Sequence, residues 1–184
     1  MERGSGKEQE WVWGIPVDKW NPNMVITYKA GKQMRVMVWA SFWGNVERCP
    51  LFILSRDFDS AKFGYTANSY LEVLEQRLLN YWYDGLIFMQ DNAPIHTANR
   101  VKEWFRENGI DTTDWPPYSP DLNPIEHAWW ALKKIVQKMF PDLMAGTGKS
   151  EEDRKRLEEA LKVAWEALPD DFFESLVASM LDRI

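Results

Sequence analysis

Apolar residues in this chain recur first at strand spacing and then at helix spacing. Residues 1–10 are polar and carry no period. Trp11–Trp13 and Met24–Tyr28 are short β-prone runs, parted by Pro16 and the Asn21-Pro22-Asn23 turn. Met34–Trp43 predicts a strand, Gly44-Asn45 a tight turn, and Pro50–Leu54 the returning strand of a hairpin. From Thr66 the period lengthens: Tyr70, Leu71, Leu74, Leu78 and Trp82 mark one helix face, and Gly85 follows its end. Leu86–Gln90 is a continuous apolar run of strand length, suited to a buried parallel strand.

Thr97 predicts the start of a helix with Val101, Trp104 and Phe105 on one face, stopped by Asn108-Gly109. Ile110–Trp115 reads as a further short strand. Asn123-Pro124 supplies an N-cap and a first-turn proline for a helix striped by Ile125, Ala128, Trp129, Leu132, Ile135, Val136 and Met139. Pro141–Lys149 reads as a loop. Ser150 caps a helix carrying Leu157, Leu161, Ala164, Trp165 and Leu168. Beyond Pro169, a last helix carries Phe172, Phe173, Leu176, Val177, Met180 and Leu181. A hairpin followed by alternating helices and strands implies an α/β fold, a mixed sheet flanked by helices.

Composition narrows the chemistry. With 45% hydrophobic residues and 11 Trp, 9 Phe and 6 Tyr, the chain can bury a core. No run of apolar residues is long enough to span a membrane. One cysteine, Cys49, excludes an internal disulfide and a Cys-based zinc site, and two histidines exclude a His-rich site. A metal would be held by carboxylates, which points to Mg²⁺ or Mn²⁺. The net charge of −6 works against gripping a phosphate backbone, so nucleic-acid binding needs a local basic patch or a separate module.

Two acids stand out by position. Asp91 follows the buried run, where open α/β sheets build their sites. Glu126 sits in the first turn after Asn123-Pro124. Each has a structural alternative: Asp91-Asn92 as Asx-turn chemistry, and Asn123-x-x-Glu126 as a capping box. His96 and His127 lie near these acids, within reach of a metal or phosphate. A hydrogen-bonding role in a helix-start turn is their alternative. Asp121 reads equally as part of a turn, and Lys133 and Lys134 as DNA contacts or a solvated helix face.

The segments Gln90-Asp91-Asn92-Ala93-Pro94-Ile95-His96-Thr97 and Trp115-Pro116-Pro117-Tyr118-Ser119-Pro120-Asp121-Leu122-Asn123-Pro124-Ile125-Glu126 resemble the signature of mariner-type DDE DNA transposases. The 34 residues between Asp91 and Glu126 match the spacing of one main branch. The resemblance implies a ribonuclease-H-like fold, with residues 34–140 as the DDE core, 141–184 as C-terminal helices on it, and 1–33 as an N-terminal extension. It implies metal-dependent DNA strand cleavage and strand transfer with two Mg²⁺ (or Mn²⁺) ions. Asp91 resembles the second catalytic acid and Glu126 the third, with Asn92, His96, Asp121 and His127 as secondary candidates. The implied partner is DNA, both transposon ends and target, and the implied location is the nucleus if the host is eukaryotic.

The family's first Asp lies on a central strand ahead of the segment that Glu2–Lys7 resembles. Neither Glu2 nor Glu8 ends an apolar run, so neither is assigned as a ligand. The expectation is a chain lacking that strand and the N-terminal DNA-binding region, weak or inactive in catalysis, with pairing to a second copy filling the strand's place. Residues 11–33, including Trp11, Trp13 and Trp20, are the candidate dimer contacts. The alternative is a non-catalytic, transposon-derived interaction or assembly module.

Overall fold

The chain turns back on itself at Gly44, whose φ of 51° lies in the left-handed region that glycine enters without strain. The computed structural model describes residues 36–44, 47–61, 63–116, 119–145 and 150–183. The runs Trp11–Trp13 and Met24–Tyr28, and the boundary at residue 33, lie outside them. Four short strands make the predicted hairpin: β1 (Val38–Trp39), β2 (Phe42–Trp43), β3 (Glu47–Arg48) and β4 (Phe52–Ile53). β2 pairs with β3 and β1 with β4, both antiparallel.

The returning strand starts at Glu47, ahead of the predicted Pro50, and is not continuous. Between the two ladders Ala40 and Ser41 face three residues, Cys49 to Leu51, so the register slips by one. Pro50 has no N–H for a ladder bond and sits exposed in this bulge. Cys49 closes the gap: its N–H donates to Ser41 O at 2.9 Å, and Ser41 N–H donates to Cys49 Sγ at 2.9 Å.

Thr66 caps α1 (Ala67–Val73) in a capping box with Ser69. A π-helical turn follows at Leu74–Leu78, then α2 (Leu79–Tyr81). The wider turn keeps Tyr70, Val73, Leu74 and Leu78 all buried. The predicted parallel strands are much reduced. Leu86–Gln90 and Ile110–Trp115 meet at one parallel bridge, Phe88 to Thr112, and Ile87 is 67% exposed. Among the described residues Phe88 has a ladder partner on one side only, too little to hold a buried strand straight.

α3 (Asn99–Glu107) starts two residues later than predicted. The Thr97 hydroxyl donates to Ala93 O at 3.3 Å instead of capping the helix. Val101, Trp104 and Phe105 are buried as the spacing implies. α4 (Pro124–Met139) buries Ala128, Leu132 and Val136, while Met139, assigned to that stripe, is exposed in the last turn. α5 (Pro141–Ala145) occupies part of the predicted loop. α6 (Glu151–Glu166) is capped by Ser150 in a box with Asp153, and α7 (Asp170–Ala178) follows Pro169. Leu181 is 90% exposed, because a 3₁₀ turn at Ser179–Asp182 rotates it off the α7 face.

Aromatic contacts fix α4. Phe42 of the hairpin meets Phe173 at 5.1 Å between ring centroids, Phe173 meets Trp165 at 5.3 Å, and Trp165 meets Trp129 of α4 at 5.6 Å. Trp165 is fully buried, and its indole N–H donates to Cys49 O at 2.9 Å. Truncating it to Ala would cost about 3–5 kcal/mol. The bulge, α6 and the helix carrying Glu126 are thereby locked together.

Candidate active site

Asp91 stands where the Leu86–Gln90 segment leaves its bridge with Thr112. Its Oδ1 accepts from Ala93 N–H at 3.0 Å, an Asx turn, so the structural alternative read from Asp91-Asn92 is realised. The same oxygen lies 2.6 Å from His96 Nδ1. A carboxylate accepts, so Nδ1 carries the proton of this bond. Both bonds fall on Oδ1, and Oδ2 is left for another partner. His96 is held in turn: its N–H donates to Ala93 O at 2.8 Å, and its ring lies 4.4 Å from that of Tyr70.

Tyr70 anchors the arrangement. It is 1% exposed, and its hydroxyl donates to Gln90 Oε1 at 2.6 Å. Burial raises this hydroxyl far above the ordinary phenol range, against a hydrogen bond from the Trp39 side chain, and the Asp91 charge raises it further. Asn92 points elsewhere and straps the turn to the neighbouring segment, Nδ2 donating to Trp115 O at 2.7 Å.

Glu126 arrives from α4. Its capping-box alternative does not form. The Asn123 amide donates to Pro120 O at 3.0 Å, and the Asn123 side chain caps Ile125 N–H at 3.3 Å. The Glu126 carboxylate is thus not engaged with its own helix end. Loss of surrounding water raises its pKa above the usual range, the Asp91 charge raises it further, and Lys133 and His127 oppose both. Asp91 and Glu126 line one cavity of about 520 Å³ together with Trp39, Tyr70, Phe88 and His96.

Of the secondary candidates, His96 is part of this cluster. His127 is exposed, is not among the lining residues, and acts on Glu126 through charge. Asp121 lies in a 3₁₀ turn, away from the cavity, and its backbone oxygen accepts from Arg183 at 2.6 Å. Tyr70 and Gln90 were missed as supports. The available signal was a tyrosine among leucines on a buried face, whose hydroxyl needs a partner.

Residues 47–145 match the family described as DDE superfamily endonuclease. The Tc3 transposase of Caenorhabditis elegans is 36% identical over 156 residues, 81% of this chain and 42% of that protein. The Tcb2 transposase of Caenorhabditis briggsae is 34% identical over 152 residues, 80% of this chain and 49% of that protein. The chain thus spans a little under half the length of these relatives. A chain in the crystal structure of the Mos1 strand transfer complex aligns over 97% of this chain and 48% of its own length, with a TM-score of 0.56 and 21% identity. That likeness bears on the mixed α/β fold alone. The family match takes in more than half of the chain and both acids, and this chain belongs to the DDE superfamily endonucleases as a catalytic domain of the Tc1/mariner transposase type.

Proposed function

We propose that the chain is the catalytic portion of a transposase that cuts and joins DNA strands, with a divalent ion, Mg²⁺ or Mn²⁺, held by Asp91 and Glu126. The observation that carries this is the raised Glu126 carboxyl facing the Asp91 charge across a shared cavity. Two acids placed to repel each other cost stability unless a cation or proton stands between them. The donor set fits a hard divalent ion: carboxylate oxygens and no thiolate, with Asp91 Oδ2 unused by the turn. Ions bound there would stabilise the attacking and leaving oxygens of an in-line displacement.

The residues themselves supply positioning. His96 and the Ala93 amide fix the Asp91 carboxylate, and α4 holds Glu126 on a helix pinned through Trp129. Among the described residues no group of three acidic, His or Cys side chains is placed to hold a metal. The third acid, and with it the second ion, therefore belongs outside them in this reading. A strand alongside Val38–Trp39 and Phe88 would carry it, completing a ribonuclease-H-like sheet. Both segments line the cavity, and each pairs on one side only among the described residues. With two carboxylates alone, metal affinity and rate would fall by orders of magnitude.

In this reading the substrates are transposon ends and target DNA, acted on in the nucleus of a eukaryotic host. Pairing of two copies through residues 11–33 is a separate part of it. No helix among the described residues is long and apolar enough to cross a membrane. The test is Mn²⁺ calorimetry on wild type, Asp91→Asn and Glu126→Gln, beside a strand-nicking assay. Binding in wild type that is lost in both variants supports the site. No binding in wild type would favour a non-catalytic assembly module.

A further inference from the structure

We infer that the solvent face of α4 is a DNA-backbone track that starts at Glu126 and runs along the helix through Trp130, Lys133, Lys134 and Lys138. This deepens the endonuclease reading and rests on it, since it names where the phosphates beside the cut strand lie.

At 100° per residue, Glu126, Trp130, Lys133, Lys134 and Lys138 fall within about 140° of one another around the helix axis. All five are exposed, while Ala128, Leu132 and Val136 turn to the core. Glu126 is the only acid in α4, against three lysines, in a chain whose net charge is −6. On α4 itself, therefore, positive charge outnumbers negative on the solvent side. Lys133 lies seven residues beyond Glu126, about 10 Å along the helix and on the same side, so the track reaches the site. Residues 126 to 138 span about 18 Å of helix. At about 3.4 Å of duplex per phosphate on each strand, that is room for roughly five nucleotides.

Trp130 gives the face its second feature. It is 61% exposed, and Lys134 Nζ stands 3.4 Å from the centroid of its ring. A lone exposed aromatic is ordinary, but this one holds a cation in place. Lys134 therefore loses less rotamer freedom on meeting a phosphate than a free lysine does. A positive face of this kind suits the phosphate backbone, with no base readout implied.

The test is anisotropy titration of a short labelled duplex with the full chain in EDTA, where no cutting intervenes, across a range of salt. Removing Lys133, Lys134 and Lys138 together by Lys→Gln should flatten the slope of log K against log salt by about 2.7. Affinity at 0.1 M salt should then fall on the order of 10²-fold. Lys102, Lys155 and Lys162 changed to Gln give the same net charge and should leave the slope within about 0.5 of wild type. Trp130→Ala should weaken binding about threefold, with rescue by Trp130→Phe. The proposal is overturned if wild type does not bind, if both triple variants lose equally, or if a polyglutamate competitor displaces the chain as well as DNA does. A chain that passes these tests but shows no Asp91-dependent nicking in Mn²⁺ keeps the track and loses the endonuclease reading.

Discussion

Replacing Tyr70 with Phe removes one oxygen from the support of the candidate site and leaves the ring in place. That hydroxyl donates to Gln90 Oε1 at 2.6 Å. Tyr70 is 1% exposed and Gln90 is half-buried, so the Gln90 oxygen left without its donor is only partly reached by water. Losing the bond to Gln90 costs about 1 kcal/mol, and leaving that oxygen half-buried without a donor adds about 1–2 kcal/mol. A total near 2–3 kcal/mol corresponds to roughly a 4–12 °C drop in Tm for a domain of this size. Urea unfolding followed by tryptophan fluorescence, with an unchanged slope against denaturant, measures it. The ring still packs on His96, so Mn²⁺ affinity should change less than threefold, about 0.6 kcal/mol. Tyr70→Ala, by contrast, should cost about 3–5 kcal/mol and loosen His96 and Asp91 together. Tyr70→Phe within about 0.5 kcal/mol of wild type would show that the hydroxyl does not hold the Gln90 segment, and the account of the support would fail.

Three further outcomes follow from the same geometry. The raised Glu126 pKa means that its ionised form destabilises the fold, a cost present above the folded pKa and relieved as pH falls toward the ordinary carboxylate range. Glu126→Gln should therefore be more stable than wild type at pH 7 and converge with it near pH 4, while Mn²⁺ affinity of the wild type should fall as pH drops through that raised value. Burial raises the Cys49 thiol, and its sulfur accepts from the Ser41 amide, so a thiol reagent should label it only at the rate of global unfolding; prompt stoichiometric labelling of native protein would refute the closed bulge. Arg48 meets Asp170 at 3.0 Å and lies 4.7 Å over the Phe173 ring. Because Asp170 is largely exposed, Arg48→Ala should cost about 1–2 kcal/mol through the ring contact and Asp170→Asn less than about 0.5 kcal/mol, both read by urea unfolding.

The long amphipathic helices were legible because one apolar stripe and one cap determine each. Asn123-Pro124 opens α4 and Ser150 opens α6 where the residues place them. The hairpin turn at Gly44 was legible for the same local reason. The bulge at Cys49–Leu51 was not, because a one-residue slip depends on which side chains the core accepts, here Cys49 and Leu51 together. Leu86–Gln90 reads as a strand from its apolar run, but a parallel strand also needs neighbours, which the run cannot report. At the site, sequence left Glu126 between ligand and cap. What decided against the box was Pro120, three residues before Asn123, taking the amide that the box requires. The fixed rotamer of His96 depends on Tyr70, 26 positions away and on another element, and no local pattern carries that contact.

The π-helical turn at Leu74–Leu78 also sets how this stretch tolerates changes in length. An ordinary α-helix with one residue fewer would run from Thr66 to Tyr81 without the wide turn, and such a deletion costs little backbone energy. A π turn carries one residue more than an α turn for about the same rotation, so the helix beyond it would keep its facing relative to Tyr70. Leu78 would stay in the core, and Tyr70 on Gln90 and His96. Loss of one exposed residue among Glu75, Gln76 and Arg77 is therefore tolerable, whereas loss of a second would swing Leu78 by about 100°. A one-residue gap between Tyr70 and Leu78 in an aligned sequence would mark a protein that keeps the same aspartate support on an ordinary α-helix.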